Sequence, residues 1–116
     1  MDRIPDFSVT VESPAHGQAV LTVQGELDLA SAEILRQPLV DALTTQSLVV
    51  LEMSGCPFLD SSGLRALLAG ARRADEAGSV LRLCGAGPEV ARVIELTAVQ
   101  SVLRVYPDVA SALAAE

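Results

Sequence analysis

The sequence predicts an α/β domain with a mixed sheet of four to five strands and about four α-helices, formed by residues 1–116 as a single domain. Three observations lead to this fold class. Apolar, strand-like segments alternate with amphipathic helical segments along the chain, which is the order found in α/β proteins. The first two strand-like segments are separated only by a short turn, which favours an antiparallel pair. The length of 116 residues is enough for one hydrophobic core.

The chain begins with a predicted β-hairpin. Residues Phe7–Glu12 (FSVTVE) alternate between apolar and polar side chains, as a half-buried strand does. The following SPAHGQ contains a proline and a glycine, and Ala19–Gln24 (AVLTVQ) is the second strand. The short connection indicates that the two strands run antiparallel.

A helix is predicted next, with Ser31 as its N-cap and Glu33 shortly after it. Pro38 falls inside the helical pattern, and because proline has no amide proton we expect it to kink or restart the helix. The apolar residues recur at helical spacing, and they are Ile34, Leu35, Leu39, Ala42 and Leu43.

The central strand and helix follow. Leu48–Met53 (LVVLEM) is a nearly continuous apolar run, typical of a strand covered on both faces. After CPFLDSSG comes a helix that Gly78 is well placed to end. The apolar stripe of this helix consists of Leu64, Leu67, Leu68, Ala71 and Ala74.

The remaining elements complete the alternation. Val80–Cys84 is predicted as a strand, and GAGPEVARVIELT as a helix with Pro88 in its first turn. Val102–Val105 is predicted as a short strand and Pro107–Ala115 as a final helix. No repeat or linker divides the chain.

The charge balance excludes several classes of function. A net charge of −7 argues against nucleic-acid binding, which needs a basic face. All eight basic residues are arginines, so the lysine of a phosphate-binding P-loop is missing.

No apolar run approaches the roughly 18 residues of a membrane span, and the first residues carry no signal-peptide pattern. We therefore expect a cytoplasmic protein that does not enter a membrane.

The histidine and the two cysteines do not indicate a metal site. Cys56 and Cys84 are far apart and lack the spacing of metal ligands, so we expect two buried thiols. His16 is the only histidine and lies in a predicted turn. We expect neither a metal nor a cofactor.

The DSSG segment, Asp60–Gly63, is the most informative part of the chain. Aspartate and serine are favoured N-cap residues, so capping alone explains part of it. Gly63 is less expected, because glycine in a helix costs roughly 1 kcal/mol relative to alanine; it would allow the backbone of another molecule to approach. A helix N-terminus also tolerates a phosphate, so a serine here suits phosphorylation.

The segment VVLEMSGCPFLDSSGLRALL resembles the signature of STAS domains in bacterial anti-sigma factor antagonists. The resemblance extends to VQGELDLASAEILRQPL upstream and to GSVLRLCGAGPEVARVIELTAV downstream, and so covers nearly the whole chain. It implies a single STAS domain, no enzymatic activity, and a protein that binds an anti-sigma factor which is also a serine kinase. In that family the unphosphorylated antagonist frees the sigma factor, phosphorylation releases the antagonist, and a PP2C-type phosphatase resets it.

Carried over to this sequence, the resemblance makes Ser61 the phosphoacceptor and Asp60 the neighbour that shapes the loop. Ser62 caps the helix or lines the interface, and Gly63 permits close approach. The acidic residues of GELD, Glu26 and Asp28, are expected on the same binding edge, although solvated loop acids are an equal alternative. ATP would be bound by the partner kinase, and the protein itself is expected to be a monomer or a weak dimer.

Two other interpretations stay open. A serine hydrolase would use Ser61 or Ser62 as its nucleophile, but His16 is the only histidine available as a base and no GxSxG elbow is present. In the second interpretation the chain has the same STAS-like fold but is not regulated by phosphorylation. The domain would then be an unphosphorylated scaffold in a larger signalling or transport assembly.

Overall fold

The computed structural model describes residues 7–97 and 102–115, which form one five-stranded mixed sheet with four helices. The strands are β1 (Ser8–Glu12), β2 (Gln18–Gln24), β3 (Leu48–Gly55), β4 (Val80–Cys84) and β5 (Arg104–Tyr106). The helices are α1 (Leu29–Thr45), α2 (Ser61–Ala77), α3 (Pro88–Leu96) and α4 (Val109–Ala114). The predicted fold class is confirmed.

The strands lie in the sheet in chain order, from β1 to β5. The predicted hairpin is confirmed, since β1 pairs antiparallel with β2 and Val11 lies opposite Leu21. All later pairs are parallel, because a helix connects each strand to the next. The carboxyl ends of β2 and β3 therefore meet at one edge of the sheet.

The aliphatic core lies between the sheet and the helices α1, α2 and α3. It contains the alternate strand residues Leu21, Val23, Leu51 and Met53 together with Leu67 of α2. A smaller cluster on the other face places Val50 and Cys84 against Ala112 of α4. Strand β3 is therefore covered on both faces, as its apolar run predicts.

Helix α1 departs from the sequence prediction at two residues. It continues through Pro38 without restarting, and Ile34 is 51% exposed instead of facing the core. The two facts are connected, because Pro38 has no amide proton for the carbonyl of Ile34, four residues earlier. Since Ile34 lies on the exposed side, water can bond that carbonyl and the helix tolerates the proline.

The other predicted boundaries agree closely with the structure. Helix α2 ends at Gly78, whose φ of 72° is the left-handed conformation that glycine adopts easily. Pro88 occupies the first turn of α3. Strand β5, at Arg104–Tyr106, begins two residues later and ends one residue later than predicted. None of the helices in the described ranges combines the length and hydropathy that a bilayer crossing needs.

A candidate protein-interaction site at the carboxyl edge of the sheet

Two loops leave the carboxyl ends of β2 and β3 and are joined by backbone hydrogen bonds. The Leu27 amide donates to the Phe58 carbonyl at 3.0 Å, and the Asp60 amide donates to the Leu27 carbonyl at 3.2 Å. Leu27 and Leu59 also form an isolated parallel bridge. The loops 25–28 and 56–60, together with the helix starts that follow them at Leu29 and at Ser61–Gly63, therefore form one continuous surface, here called the switch edge.

Helix α1 begins at this edge with a closed capping box. The carboxylate of Asp28 accepts a hydrogen bond from the Ser31 amide at 3.0 Å, and the Asp28 amide donates to the Ser31 hydroxyl oxygen at 2.8 Å. The buried Ser31 hydroxyl in turn donates to the Glu26 carbonyl at 2.7 Å. The hydrogen bond from the Ser31 amide holds the pKa of Asp28 below its usual value.

The predicted cap of α1 is therefore wrong by three residues. Ser31 is the third helical residue and Asp28 is the N-cap. Both residue types favour caps, and the sequence does not show which of them has extended backbone. Asp28 is thus a structural residue as well as a candidate contact residue.

Helix α2 begins in a related way. Asp60 is the N-cap, and its carboxylate accepts from the Gly63 amide at 2.9 Å. Ser61 and Ser62 are the first two residues of the helix. The capping role considered for Ser62 is therefore wrong, because Asp60 occupies that position; Ser62 instead lines a groove between α1 and α2.

Gly63 is required by a close approach within the chain. A Cβ atom at this position would lie 2.3 Å from the carbonyl oxygen of Leu27, and Gly63 is buried. We expected this glycine to admit the backbone of another molecule. The structure corrects this expectation, because the backbone that approaches Gly63 belongs to the same chain, at Leu27 in the loop before α1.

The structure brings all six sequence-predicted site residues to the switch edge, with different accessibility. Ser61 and Glu26 are exposed, whereas Asp28, Asp60 and Ser62 are half-buried. Within the described residues the Ser61 hydroxyl forms no hydrogen bond, so the fold does not depend on it. The edge therefore presents the exposed Ser61 hydroxyl together with the half-buried Ser62 and the carboxylates of Glu26, Asp28 and Asp60.

Two apolar residues at the switch edge were not selected from the sequence. Leu29, the first residue of α1, is 70% exposed, and Phe58 is 43% exposed. Apolar side chains form the buried centre of many protein contacts, so these two are candidate contact residues if a partner covers this edge. The sequence signal for Leu29 is its position relative to the cap. Once Asp28 is identified as the N-cap of α1, Leu29 is the first helical residue and corresponds to Ser61 in α2.

The structure does not bring His16 to the two serines. His16 lies in the turn before β2, whereas the serines follow β3, which runs parallel to β2. The two sites are thus at opposite ends of strands about 20 Å long, and His16 cannot serve as a base for Ser61.

Both cysteines are buried, and burial raises the pKa of Cys84 to about 11. Across the described ranges, no three His, Cys, Asp or Glu residues form a potential metal site.

Comparisons with known proteins agree with this architecture. The STAS domain model matches residues 9–112. An anti-sigma F factor antagonist of Paenibacillus polymyxa is 24% identical over 110 residues, covering 92% of this chain and 94% of the relative.

Two solved structures are also similar. An anti-sigma factor antagonist from Mycobacterium paratuberculosis has a TM-score of 0.82 and 28% identity, covering 95% of this chain and 94% of its own. The Bacillus cell fate determinant SpoIIAA in its phosphorylated form has a TM-score of 0.68 and 18% identity, covering 87% and 93%; at this identity the likeness shows the fold alone. The family model spans most of the chain, and the chain therefore belongs to the STAS domain family.

Proposed function

We propose that this protein is a phosphorylation-controlled antagonist of an anti-sigma factor. The unphosphorylated switch edge binds an anti-sigma factor that is also a serine kinase, which frees the sigma factor. The kinase transfers a phosphoryl group from its own bound ATP to the Ser61 hydroxyl, and the antagonist is released. A PP2C-type phosphatase hydrolyses the phosphoserine and restores binding.

The observation that carries this proposal is the position of Ser61. It is the first residue of α2, it is exposed, and its hydroxyl is not used by the described fold. A helix N-terminus carries partial positive charge and free amides, so it tolerates a phosphate without loss of the fold. Phosphorylation can therefore change binding while leaving the domain intact.

The composition of the switch edge supports a large effect on binding. A phosphate adds about −1.5 to −2 charge at pH 7, beside the carboxylates of Glu26, Asp28 and Asp60. If a partner covers Leu29 and Phe58, the new charge must lose water without gaining a matched partner. This costs several kcal/mol, and about 2.7 kcal/mol already lowers affinity a hundredfold.

The first test is phosphorylation in vitro. We would incubate the protein with Mg-ATP and each candidate anti-sigma kinase of the same organism and locate phosphate by peptide mass. We expect phosphate on Ser61, none in Ser61→Ala, and normal phosphorylation of the neighbouring control Ser62→Ala. Active kinases that leave Ser61 unmodified, together with stable copurification in a larger assembly, would instead support a scaffold.

The second test separates binding from modification. We expect Ser61→Ala to bind the kinase with wild-type affinity and Ser61→Asp to bind at least about a hundredfold more weakly, measured by calorimetry. Circular dichroism would establish that both variants are folded. Equal affinity of the two variants contradicts the switch.

A further inference from the structure

A groove of about 430 Å³ lies between α1 and α2 and is open to solvent. Its lining on α2 extends from Ser62 to Glu76, which is about 21 Å at 1.5 Å per residue, or four helical turns. Small and aliphatic residues contribute to its lining, and they include Ala32, Leu35, Leu39, Ala66, Ala69 and Gly70. The groove is therefore elongated and has apolar surface available to a partner.

The lining of this groove also concentrates positive charge. Four of the eight arginines line it, together with only two glutamates, so it carries a net charge of +2 in a chain of net charge −7. The four arginines are Arg36, Arg65, Arg72 and Arg73. Such a local reversal of charge favours an acidic partner and disfavours most others.

The arginines are not neutralised by strong pairs inside the chain. Arg36 lies 3.8 Å from Glu33 and Arg73 lies 3.7 Å from Glu76, and all four side chains are largely exposed. Exposed pairs of this kind contribute little free energy. Over the described ranges, Arg65 and Arg72 form no ion pair, so two cations are available to a partner.

We propose that the groove between α1 and α2 binds an acidic amphipathic helix of a partner protein. Arg65 and Arg72 are seven residues, or two turns, apart on one helix. A docked helix aligned with α2 would present carboxylates at the same spacing, and its apolar side would pack on Ala66 and Ala69. Binding of a helix in a groove through regularly spaced apolar anchors is a common recognition mode.

The groove also meets the switch edge at one end. Leu29 and Ser62 belong to both surfaces, so a helix lying in the groove reaches the beginning of α2. The groove therefore continues the candidate interface, although binding of an acidic helix there does not depend on phosphorylation of Ser61.

The test uses a helical peptide of about 16 residues, with two glutamates seven positions apart and leucine and alanine on the adjoining face. We would titrate it into the ¹⁵N-labelled full chain and follow the amide signals by NMR. We expect saturable shifts at Ala66 and Ala69. We also expect at least about a tenfold weaker affinity for the double variant Arg65→Glu/Arg72→Glu.

The matched control is Arg92→Glu/Arg104→Glu, which changes the net charge equally at exposed positions of α3 and β5. It should bind the peptide like the wild type, and thermal unfolding should show that both double variants are folded. Equal weakening by both double variants, or no saturable shift in the wild type, overturns the proposal. Saturable laurate binding without peptide binding would also overturn it, in favour of a small amphiphile. Self-association that only the groove variant abolishes would overturn it in favour of a second copy of the chain.

Discussion

Helices α1 and α2 begin side by side with an aspartate N-cap, yet their first turns are stabilised differently. In α1 the third helical residue is Ser31, whose side chain bonds back to the cap and to Glu26. In α2 the third residue is Gly63, which has no side chain, and the amide of the Asp60 cap donates instead to Leu27. The first turn of α1 is thus closed by its own serine, while the amide of the α2 cap is bonded to the loop before α1.

The first helical residues differ as well. Leu29 of α1 and Ser61 of α2 both follow the cap directly and are both exposed. One offers apolar surface and the other a hydroxyl. The comparison teaches that α2 does not need Ser61 for capping: Asp60 caps the helix start, so the proposed phosphorylation of Ser61 would leave the cap in place.

The largest expected effect on the free energy of unfolding comes from disturbing the contact between Gly63 and the Leu27 carbonyl. Gly63→Ala places a Cβ atom 2.3 Å from the Leu27 carbonyl oxygen, so the loops must separate and their hydrogen bonds weaken. We expect a loss of about 3 kcal/mol in the free energy of unfolding, measured by urea denaturation. Gly87→Ala is the control, because a Cβ there meets nothing within 4 Å. Similar losses in both variants would refute the close-approach explanation.

The second prediction compares the two serines. Ser31→Ala removes a buried hydroxyl and leaves the Glu26 carbonyl and the Asp28 amide without their partner. We expect a loss of about 2 kcal/mol in the free energy of unfolding. Ser61→Ala should change that free energy by less than about 0.5 kcal/mol. A destabilisation by Ser61→Ala as large as that by Ser31→Ala would show that Ser61 is part of the fold.

A smaller effect is expected in the pH dependence of stability. Because the pKa of Asp28 is lowered in the folded protein from 3.8, its ionised form stabilises the fold above that value. This contribution is lost as the pH falls through 3.8 and below the folded pKa. We expect Asp28→Asn to flatten the decrease in unfolding free energy between about pH 6 and about pH 3, measured by urea titrations.

The Asn side chain can still act as a cap, so stability near neutral pH should be largely kept. Asp108→Asn is the matched comparison, since the pKa of Asp108 is also lowered by a hydrogen bond from a serine amide in the first turn of its helix. A pH profile unchanged by Asp28→Asn would contradict the role of the Asp28 carboxylate.

The smallest effect on stability is expected at Leu29. Leu29→Ser makes the first residue of α1 resemble Ser61, and because Leu29 is 70% exposed the free energy of unfolding should change by less than about 0.5 kcal/mol. Affinity for the anti-sigma kinase should nevertheless decrease, measured by calorimetry. Unchanged affinity would remove Leu29 from the proposed interface.

The sequence predicted features that depend on local pattern. The hairpin, the apolar run of β3 and the glycine that ends α2 all follow from short-range spacing, and the structure agrees with them. The STAS resemblance, and not a local pattern, implied that GELD and DSSG share a binding edge; their loops are bonded together, and binding at this edge stays a prediction.

The features that the sequence did not predict depend on contacts between distant segments. Gly63 and Leu27 are in close contact although they are 36 positions apart in the chain, so no local sequence pattern predicts this contact. The cap of α1 was misplaced because Asp28 and Ser31 are both good capping residues. Ile34 was assigned to the core because its spacing fits the helical stripe, and only the packed structure shows which side of that stripe is covered.

The order of the strands in the sheet has a consequence for how the protein is made. Each strand pairs with the one before it in the chain, so every new strand that leaves the ribosome finds its neighbour already synthesised. Domains commonly form as their segments emerge. The switch edge is contributed entirely by residues up to Gly63, so both of its loops exist before β4, β5 and the last two helices have been synthesised.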